Sequence, residues 1–141
     1  KNKNILENCA AYKDYTTLCN NAPGEILATI AMRNATTLLQ RNHRIVLENL
    51  SLAEKFFKKH KKLLHWIQPN GGSTAFPQLH RPFDVTEMCE RAMNEKELLI
   101  IGERAFGVTT NNFRVGLGRL DFKEALDVFS EIIEDMEQKI S

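Results

Sequence analysis

Hydrophobic side chains recur at helical spacing through the first half of the chain, behind a polar opening segment. Residues 1–22 contain five asparagines, which favour turns over helix interiors, and this segment is predicted to be irregular. Pro23 and Glu25 then suit a helix start, because proline fits the first helical position and a carboxylate fits the positive helix end. A break is expected at Asn34, and a second helix with a wide apolar stripe is predicted to run toward His60.

The second half of the chain alternates short apolar runs with turn residues and two further helical patterns. Strands are predicted over residues 64–67, 73–76, 98–101 and 113–118, and helices over 84–93 and 121–139. Each helix begins at an aspartate that resembles the start of a capping box, and Gly102 is expected to close the third strand. Because helices and strands alternate only in part, this order predicts an α+β sandwich, with a small mainly antiparallel sheet covered by helices.

Composition and charge narrow the class of protein. The 141 residues are 43% hydrophobic and 26% charged, which is typical of one globular domain, and the net charge of +1 gives no general attraction to nucleic acid. Five lysines between Lys55 and Lys62 form either a phosphate-binding patch or, as we favour, the solvated end of a helix. No run approaches a membrane span, and the three cysteines form no CxxC pair, which favours free thiols in a reducing, cytoplasmic compartment.

Residues 113–118 hold the strongest local signal of chemistry. Successive side chains of a strand point to opposite faces, so Phe113 and the other odd-numbered residues are expected to face the core. Arg114 would then share the other face with Gly116 and Gly118. A guanidinium in such open space suits a planar carboxylate, to which it can donate two parallel hydrogen bonds. The alternative is a surface arginine in a structural salt bridge, with the glycines admitting a helix.

A second signal is the glycine pair Gly71 and Gly72, which Ser73 and a predicted strand follow. Such a pair can expose backbone donors to a ligand, or it can simply form a turn. The histidines and cysteines show no metal-ligand spacing, so no metal site is expected. No serine nucleophile motif or phosphate-binding loop is present, and these residues taken alone form no complete catalytic group.

Four segments occur in a characteristic order and at suitable separations: KDYTT at 13–17, APGE at 22–25, GGSTAFP at 71–77 and NFRVGLG at 112–118. In this arrangement the chain resembles the C-terminal part of class I/II aminotransferases, in the fold-type I family of pyridoxal-phosphate (PLP) enzymes. The resemblance covers essentially the whole chain. It implies that residues 23–141 form the small C-terminal domain, and that residues 1–22 lead into it from a large cofactor-binding domain.

The resemblance also implies roles for individual residues. Arg114 would bind the substrate α-carboxylate, and Gly72 and Ser73 would lie near the substrate. The loop that holds Thr17 and Asn20 would approach the active site of a partner subunit in a homodimer, so these two residues are candidates for contact with the cofactor.

The same resemblance places the rest of the active site outside these 141 residues. None of the eleven lysines has the sequence context of the lysine that forms a Schiff base with PLP. We therefore expect no catalytic residue, no covalently bound cofactor and no activity in this chain alone, and its start at Lys1 rather than at methionine favours a fragment. For the whole enzyme the resemblance implies exchange between amino acids and keto acids. The alternatives are a carbon–sulfur lyase or another PLP reaction and, more remotely, a non-enzymatic binding module that uses the lysine cluster.

Overall fold

The computed structural model of the chain describes residues 2–17, 19 and 21–139, and within them it has five α-helices and five short strands. The helices are α1 Lys3–Thr16, α2 Ala22–Arg33, α3 Ala35–Lys59, α4 Val85–Lys96 and α5 Phe122–Gln138. The strands are β1 Leu64–His65, β2 Thr74–Ala75, β3 Gln78–Leu79, β4 Ile101–Gly102 and β5 Phe113–Gly116. A short 3₁₀ helix, Glu103–Phe106, follows β4.

The chain divides into two compact units, Lys1–Gln40 and Arg41–Ser141, and the division falls inside α3. In the first unit, α1 and α2 contain no buried residue, and large apolar side chains such as Tyr12 and Ile26 are exposed. The predicted start of a small domain at residue 23 stays a prediction.

The prediction that residues 1–22 are irregular is wrong, because α1 occupies most of this segment. Two of its asparagines, Asn2 and Asn21, act as N-caps, whereas Asn4 and Asn8 lie within α1. The Asn2 side chain accepts hydrogen bonds from the backbone N–H groups of Asn4 and Ile5, and Asn21 accepts one from Gly24 at the start of α2. A residue type that disfavours helix interiors is a good N-cap, so the asparagine signal marked where helices begin rather than a loop.

The strands of the second unit form two small antiparallel sheets. One pairs β1 with β3, and the other has the order β2–β5–β4, with β5 in the centre. This confirms the predicted α+β class and the antiparallel pairing. Strand β3 was not predicted: beyond the predicted strand at 73–76, the chain continues through Pro77 and pairs with β1.

The core of the second unit lies where three helices meet the inner face of β5. Phe113 and Leu117 are almost fully buried there, and Ile133 of α5 is completely buried. Helix α3 contributes two aromatic rings and α4 a set of smaller side chains; the core members from these helices are Phe56, Phe57, Val85, Met88 and Ala92. This packing fixes the inner face of β5 and leaves its outer face open.

Two local predictions in this unit are corrected by the structure. Residues 98–101 are not a buried strand closed by Gly102: β4 contains only Ile101 and Gly102, and Leu99 is 70% exposed. The reason is the end of α4, where Glu97 adopts a left-handed conformation. The N–H of Leu98 still donates a hydrogen bond to the carbonyl of Ala92, so Leu98 belongs to the helix cap rather than to a strand. Asp121 precedes α5 but makes no side-chain capping bond.

Candidate functional site

The candidate site is the outer face of the β2–β5–β4 sheet, with Arg114 at its centre. Along β5 the exposure alternates as predicted: Phe113 and Leu117 are buried, whereas Arg114 and Gly116 are exposed. The antiparallel ladders place Ile101 of β4 opposite Arg114, and Thr74 of β2 opposite Gly116. Arg114 therefore lies on a central strand, with neighbours on both sides to hold its backbone.

Arg114 has no ion-pair or hydrogen-bonding partner for its guanidinium among the described residues. Two other arginines of this unit are engaged, since Arg91 contacts Glu95 and Asp135, and Arg119 is paired with Asp121. The alternative interpretation of Arg114, a structural salt bridge, thus finds no support in the described part of the chain. A cation held on a rigid strand and left unpaired is suited to bind an anionic ligand, and a carboxylate can accept both of its parallel N–H donors.

The glycines of β5 keep the space around Arg114 open. A Cβ atom built at Gly116 would meet nothing within 4 Å, so no helix packs there, contrary to the alternative interpretation of these glycines. Arg114 and Gly116 also contribute to the wall of a cavity of about 370 Å³, but its other walls include the core rings of Phe113 and Phe129, so this cavity lies on the helix side of β5. The open space at Gly116 lies on the opposite, outer face, which Arg114 shares.

Arg119 and Asp121 lie at the lining of the same cavity and neutralise each other. Arg119 donates from Nε to Oδ1 over 2.7 Å and from Nη2 to Oδ2 over 2.5 Å. These bonds lower the pKa of Asp121 below its ordinary value and raise that of Arg119. Because Arg119 already binds a carboxylate, it is not available to an anionic ligand. Arg114, in contrast, has no such partner among the described residues.

The predicted substrate-side residues Gly72 and Ser73 lie in the bend just before β2. Gly72 has a φ of 79°, so this turn requires glycine, and the carbonyl of Ser73 accepts a 2.7 Å hydrogen bond from the N–H of Leu117. A Cβ at Gly118 would lie 3.8 Å from the Cβ of Ser73. Ser73 therefore faces residues 117–118, about 10 Å along the strand from Arg114 at roughly 3.4 Å per residue.

The two remaining candidates, Thr17 and Asn20, belong to the first unit. Thr17 ends α1 in an extended conformation, and its N–H donates to the carbonyl of Lys13. Asn20 lies outside the described residues. The suggested contact of this loop with a partner subunit stays a prediction.

The sequence analysis missed a buried asparagine that organises the approach to β5. Asn111 is 3% exposed, and its side chain donates to the carbonyls of Leu79 and Phe83 and accepts from the N–H of Val85. Its backbone N–H donates to the carboxylate of Glu103. One side chain thus connects β3, the start of α4 and the start of β5, and its φ of 63° is a conformation that asparagine tolerates better than most residues.

A second asparagine, Asn49 of α3, holds the chain just beyond β5. Its Nδ2 donates to the carbonyl of Leu117 over 2.9 Å and to that of Arg119 over 2.7 Å. Asn49 is polar, but it is buried among the apolar residues on the core side of α3. A polar residue at a core position of an amphipathic helix is the signal that could have identified it, because buried amides are kept only where their hydrogen bonds are satisfied.

The described residues show neither a metal-binding cluster nor a membrane-spanning helix. Among the described residues, no group of three or more His, Cys, Asp or Glu side chains is arranged to hold a metal ion. No described helix combines the length and the apolar character needed to cross a bilayer.

Comparison with known proteins relates this fold to PLP-dependent enzymes. No protein-family model matches the chain. The capreomycidine synthase of Streptomyces vinaceus is 28% identical over 138 residues, which cover 92% of this chain and 33% of that protein. The chain thus spans about a third of the length of the curated relative it matches.

Two solved structures show the same relation. A PLP-dependent aminotransferase from Streptococcus suis superposes with a TM-score of 0.82 at 21% identity, over 95% of this chain and 36% of that enzyme. The PLP-dependent cyclase OrfR superposes with a TM-score of 0.81 at 25% identity, over 95% of this chain and 37% of that enzyme. The α+β fold of the chain is therefore that of one part of PLP-dependent enzymes.

Proposed function

We propose that the chain is the C-terminal, substrate-binding part of a PLP-dependent aminotransferase, and that Arg114 binds the α-carboxylate of the amino acid. The observation that carries this proposal is the guanidinium of Arg114, which lies on the open outer face of the sheet and has no partner among the described residues. The similarity to PLP-dependent enzymes over about a third of their length supports it, since the remaining two thirds would supply the other half of the site.

Arg114 suits the substrate side of such a site rather than the cofactor's anchor, because a guanidinium binds carboxylates whereas a Schiff base with PLP requires a primary amine. PLP bound to the whole enzyme would supply an electron sink next to the α-carbon of the amino acid. The residues that hold it, like the large domain and the homodimer partner, are proposed to lie outside this chain, and the chain alone is expected to be inactive.

The contribution of this chain is then orientation. A carboxylate held by two parallel hydrogen bonds from Arg114 cannot rotate freely, so the bonds at the neighbouring α-carbon keep one direction relative to the cofactor ring. That direction decides which bond at the α-carbon breaks. The backbone of Arg114 suits this task because β5 is paired on both sides, and Gly72 and Ser73 are proposed to line the far end of the same substrate region.

The test is the substitution Arg114→Lys in the full-length enzyme. Lysine keeps the charge but loses the planar fork, so kcat/KM for amino acids should fall about 10- to 100-fold, as expected from losing one charge-assisted hydrogen bond. Arg44→Lys is the matched control, because Arg44 is exposed on α3, and it should stay within about twofold of the parent. Turnover by Arg114→Lys within a few-fold of the parent contradicts the assigned role.

A second candidate keeps the cofactor but changes the reaction, since the relatives include a cyclase and a capreomycidine synthase as well as an aminotransferase. The two are separated by assaying the full-length enzyme with and without a keto-acid acceptor. A keto acid formed from the amino donor only when the acceptor is present supports transamination. A keto acid formed without acceptor indicates a lyase, and a ring-closed product indicates a cyclase.

A further inference from the structure

Two exposed aromatic rings, Phe76 and Phe106, contact each other in the second unit, and Phe76 follows β2, the strand that pairs with β5. Phe76 is 41% exposed and Phe106 is 45% exposed, and their centroids lie 5.2 Å apart with the ring planes at 78°. This edge-to-face arrangement is one of the preferred geometries of aromatic pairs. Single exposed apolar side chains are common on proteins, but an ordered aromatic pair next to an unpaired cation is not explained by packing.

The strand register places Phe76 directly across from Arg114. Thr74 pairs with Gly116 and Ala75 with Val115, so the next residue, Phe76, falls opposite Arg114. The ladder continues at this point, because the N–H of Phe113 donates to the carbonyl of Pro77. Residues opposite one another on antiparallel strands point to the same face, with Cβ atoms about 5 Å apart.

The backbone on which the Phe76 ring is carried is fixed. Its carbonyl accepts a 2.9 Å hydrogen bond from the side chain of Asn112, the residue just before β5. Neither ring stacks on Arg114 among the ring contacts of the described residues, so the guanidinium and the ring surfaces are both available to a ligand. A molecule that reached both would need a carboxylate and, a few ångströms away, a flat apolar group.

We propose that this face selects ligands with an aromatic or similarly flat apolar side chain, the carboxylate on Arg114 and the side chain on the ring pair of Phe76 and Phe106. The identification of the carboxylate as that of an amino acid rests on the proposed function; the preference itself rests on the register and the rings.

The test uses the 141-residue chain and simple acids, so it needs no cofactor. 3-Phenylpropionate and propionate are titrated separately into the labelled chain, while NMR follows the Nε–Hε signal of Arg114 and the ring signals of Phe76. 3-Phenylpropionate should bind about five- to tenfold more tightly, which is the gain expected from one aromatic contact. In Phe76→Ala the two acids should bind within about twofold of each other.

Controls distinguish the ring from a general apolar effect. Ile67→Ala removes an exposed apolar side chain that is 75% exposed and away from this face, and it should keep the full preference. Phe76→Leu keeps apolar volume without a ring, and should keep only part of it; this variant also serves if Phe76→Ala loses its native spectrum. Equal binding of the two acids by the parent chain, binding of neither, or an unchanged preference in the Phe76 variants overturns the proposal.

The outcome is separable from that of the proposed function. If Arg114→Lys abolishes turnover by the full-length enzyme but 3-phenylpropionate binds no better than propionate, the proposed function stands and the aromatic preference fails. If the phenyl preference depends on Phe76 but the full-length protein converts no amino acid, the binding face stands and the aminotransferase assignment fails.

Discussion

Asn111 should contribute more to the stability of this chain than any exposed polar residue, and its contribution can be divided into two parts. Its side chain makes three hydrogen bonds, to the carbonyls of Leu79 and Phe83 and from the N–H of Val85, at 2.6, 2.9 and 2.9 Å. Its backbone has a positive φ of 63°. Asn111→Gly removes the hydrogen bonds but suits that φ, whereas Asn111→Ala removes the bonds and also strains the backbone.

The expected magnitudes follow from these contacts. A typical intramolecular hydrogen bond contributes about 1 kcal/mol net, and a buried partner left unsatisfied costs about 1–3 kcal/mol. Asn111→Gly should therefore lower the free energy of unfolding by about 3 kcal/mol. A side chain forced into the left-handed region adds about 1 kcal/mol more, so Asn111→Ala should lose about 4 kcal/mol. These losses are a large fraction of the 5–15 kcal/mol that is typical of a domain.

Urea unfolding measures both losses, followed by helical circular dichroism and by the fluorescence of Trp66, the single tryptophan. Asn94→Ala is the control: Asn94 is exposed on α4, and its loss should change the free energy of unfolding by less than about 0.5 kcal/mol. The reasoning is refuted if Asn111→Gly unfolds within about 1 kcal/mol of the parent. It is refuted in its second part if Asn111→Ala is as stable as Asn111→Gly.

Three further outcomes are expected. Asn49→Ala should lower the free energy of unfolding by about 2 kcal/mol in the same assay, because two carbonyls lose their donor; a change below about 0.5 kcal/mol would contradict this. The N-cap bond from the N–H of Thr86 lowers the pKa of Asp84 below its ordinary value of 3.8. The stability that this group contributes is therefore present above pH 3.8 and is lost as the pH falls through the pKa of the folded state. Asp84→Asn keeps a good N-cap, so it should weaken this loss of stability at acid pH, as measured by thermal melts over a range of pH. Burial raises the pKa of Cys89 to about 11, so iodoacetamide at pH 8 should modify the exposed thiols Cys9 and Cys19 but not Cys89, as followed by peptide mass mapping. Early alkylation of Cys89 in the folded chain would contradict the raised pKa of this thiol.

Local patterns were enough to predict most elements of the second unit and the orientation of Arg114. The helix starts at Asp84 and near Phe122 depend on a few adjacent residues, and the alternation along β5 depends only on the period of a strand. The functional role of Arg114, however, came from the resemblance, since alternation alone left a structural salt bridge as the favoured alternative. The structure adds that no such partner exists among the described residues.

What local patterns could not supply is the pairing of residues far apart in the chain. Phe76 and Arg114 become neighbours only through the register of β2 and β5, and Asn49 reaches Leu117 across 68 residues. The two aspartates that resembled capping boxes show a second limit, which is competition between neighbouring residues for one side chain. Asp84 caps α4, but Asp121 is taken by Arg119, because a nearby guanidinium competes with the backbone N–H groups for the carboxylate.

The buried amides explain why Arg114 can be held in one place on so short a strand. β5 is only four residues long, and a strand of that length gains little from its own ladder. Asn111 fixes the chain just before it, and Asn49 holds the carbonyls of Leu117 and Arg119 just after it. Both amides are buried with their hydrogen bonds satisfied, so displacing either end of β5 would expose unsatisfied carbonyls in the interior. The position of Arg114 therefore does not depend on packing against the outer face of β5, and that face can stay open to a ligand.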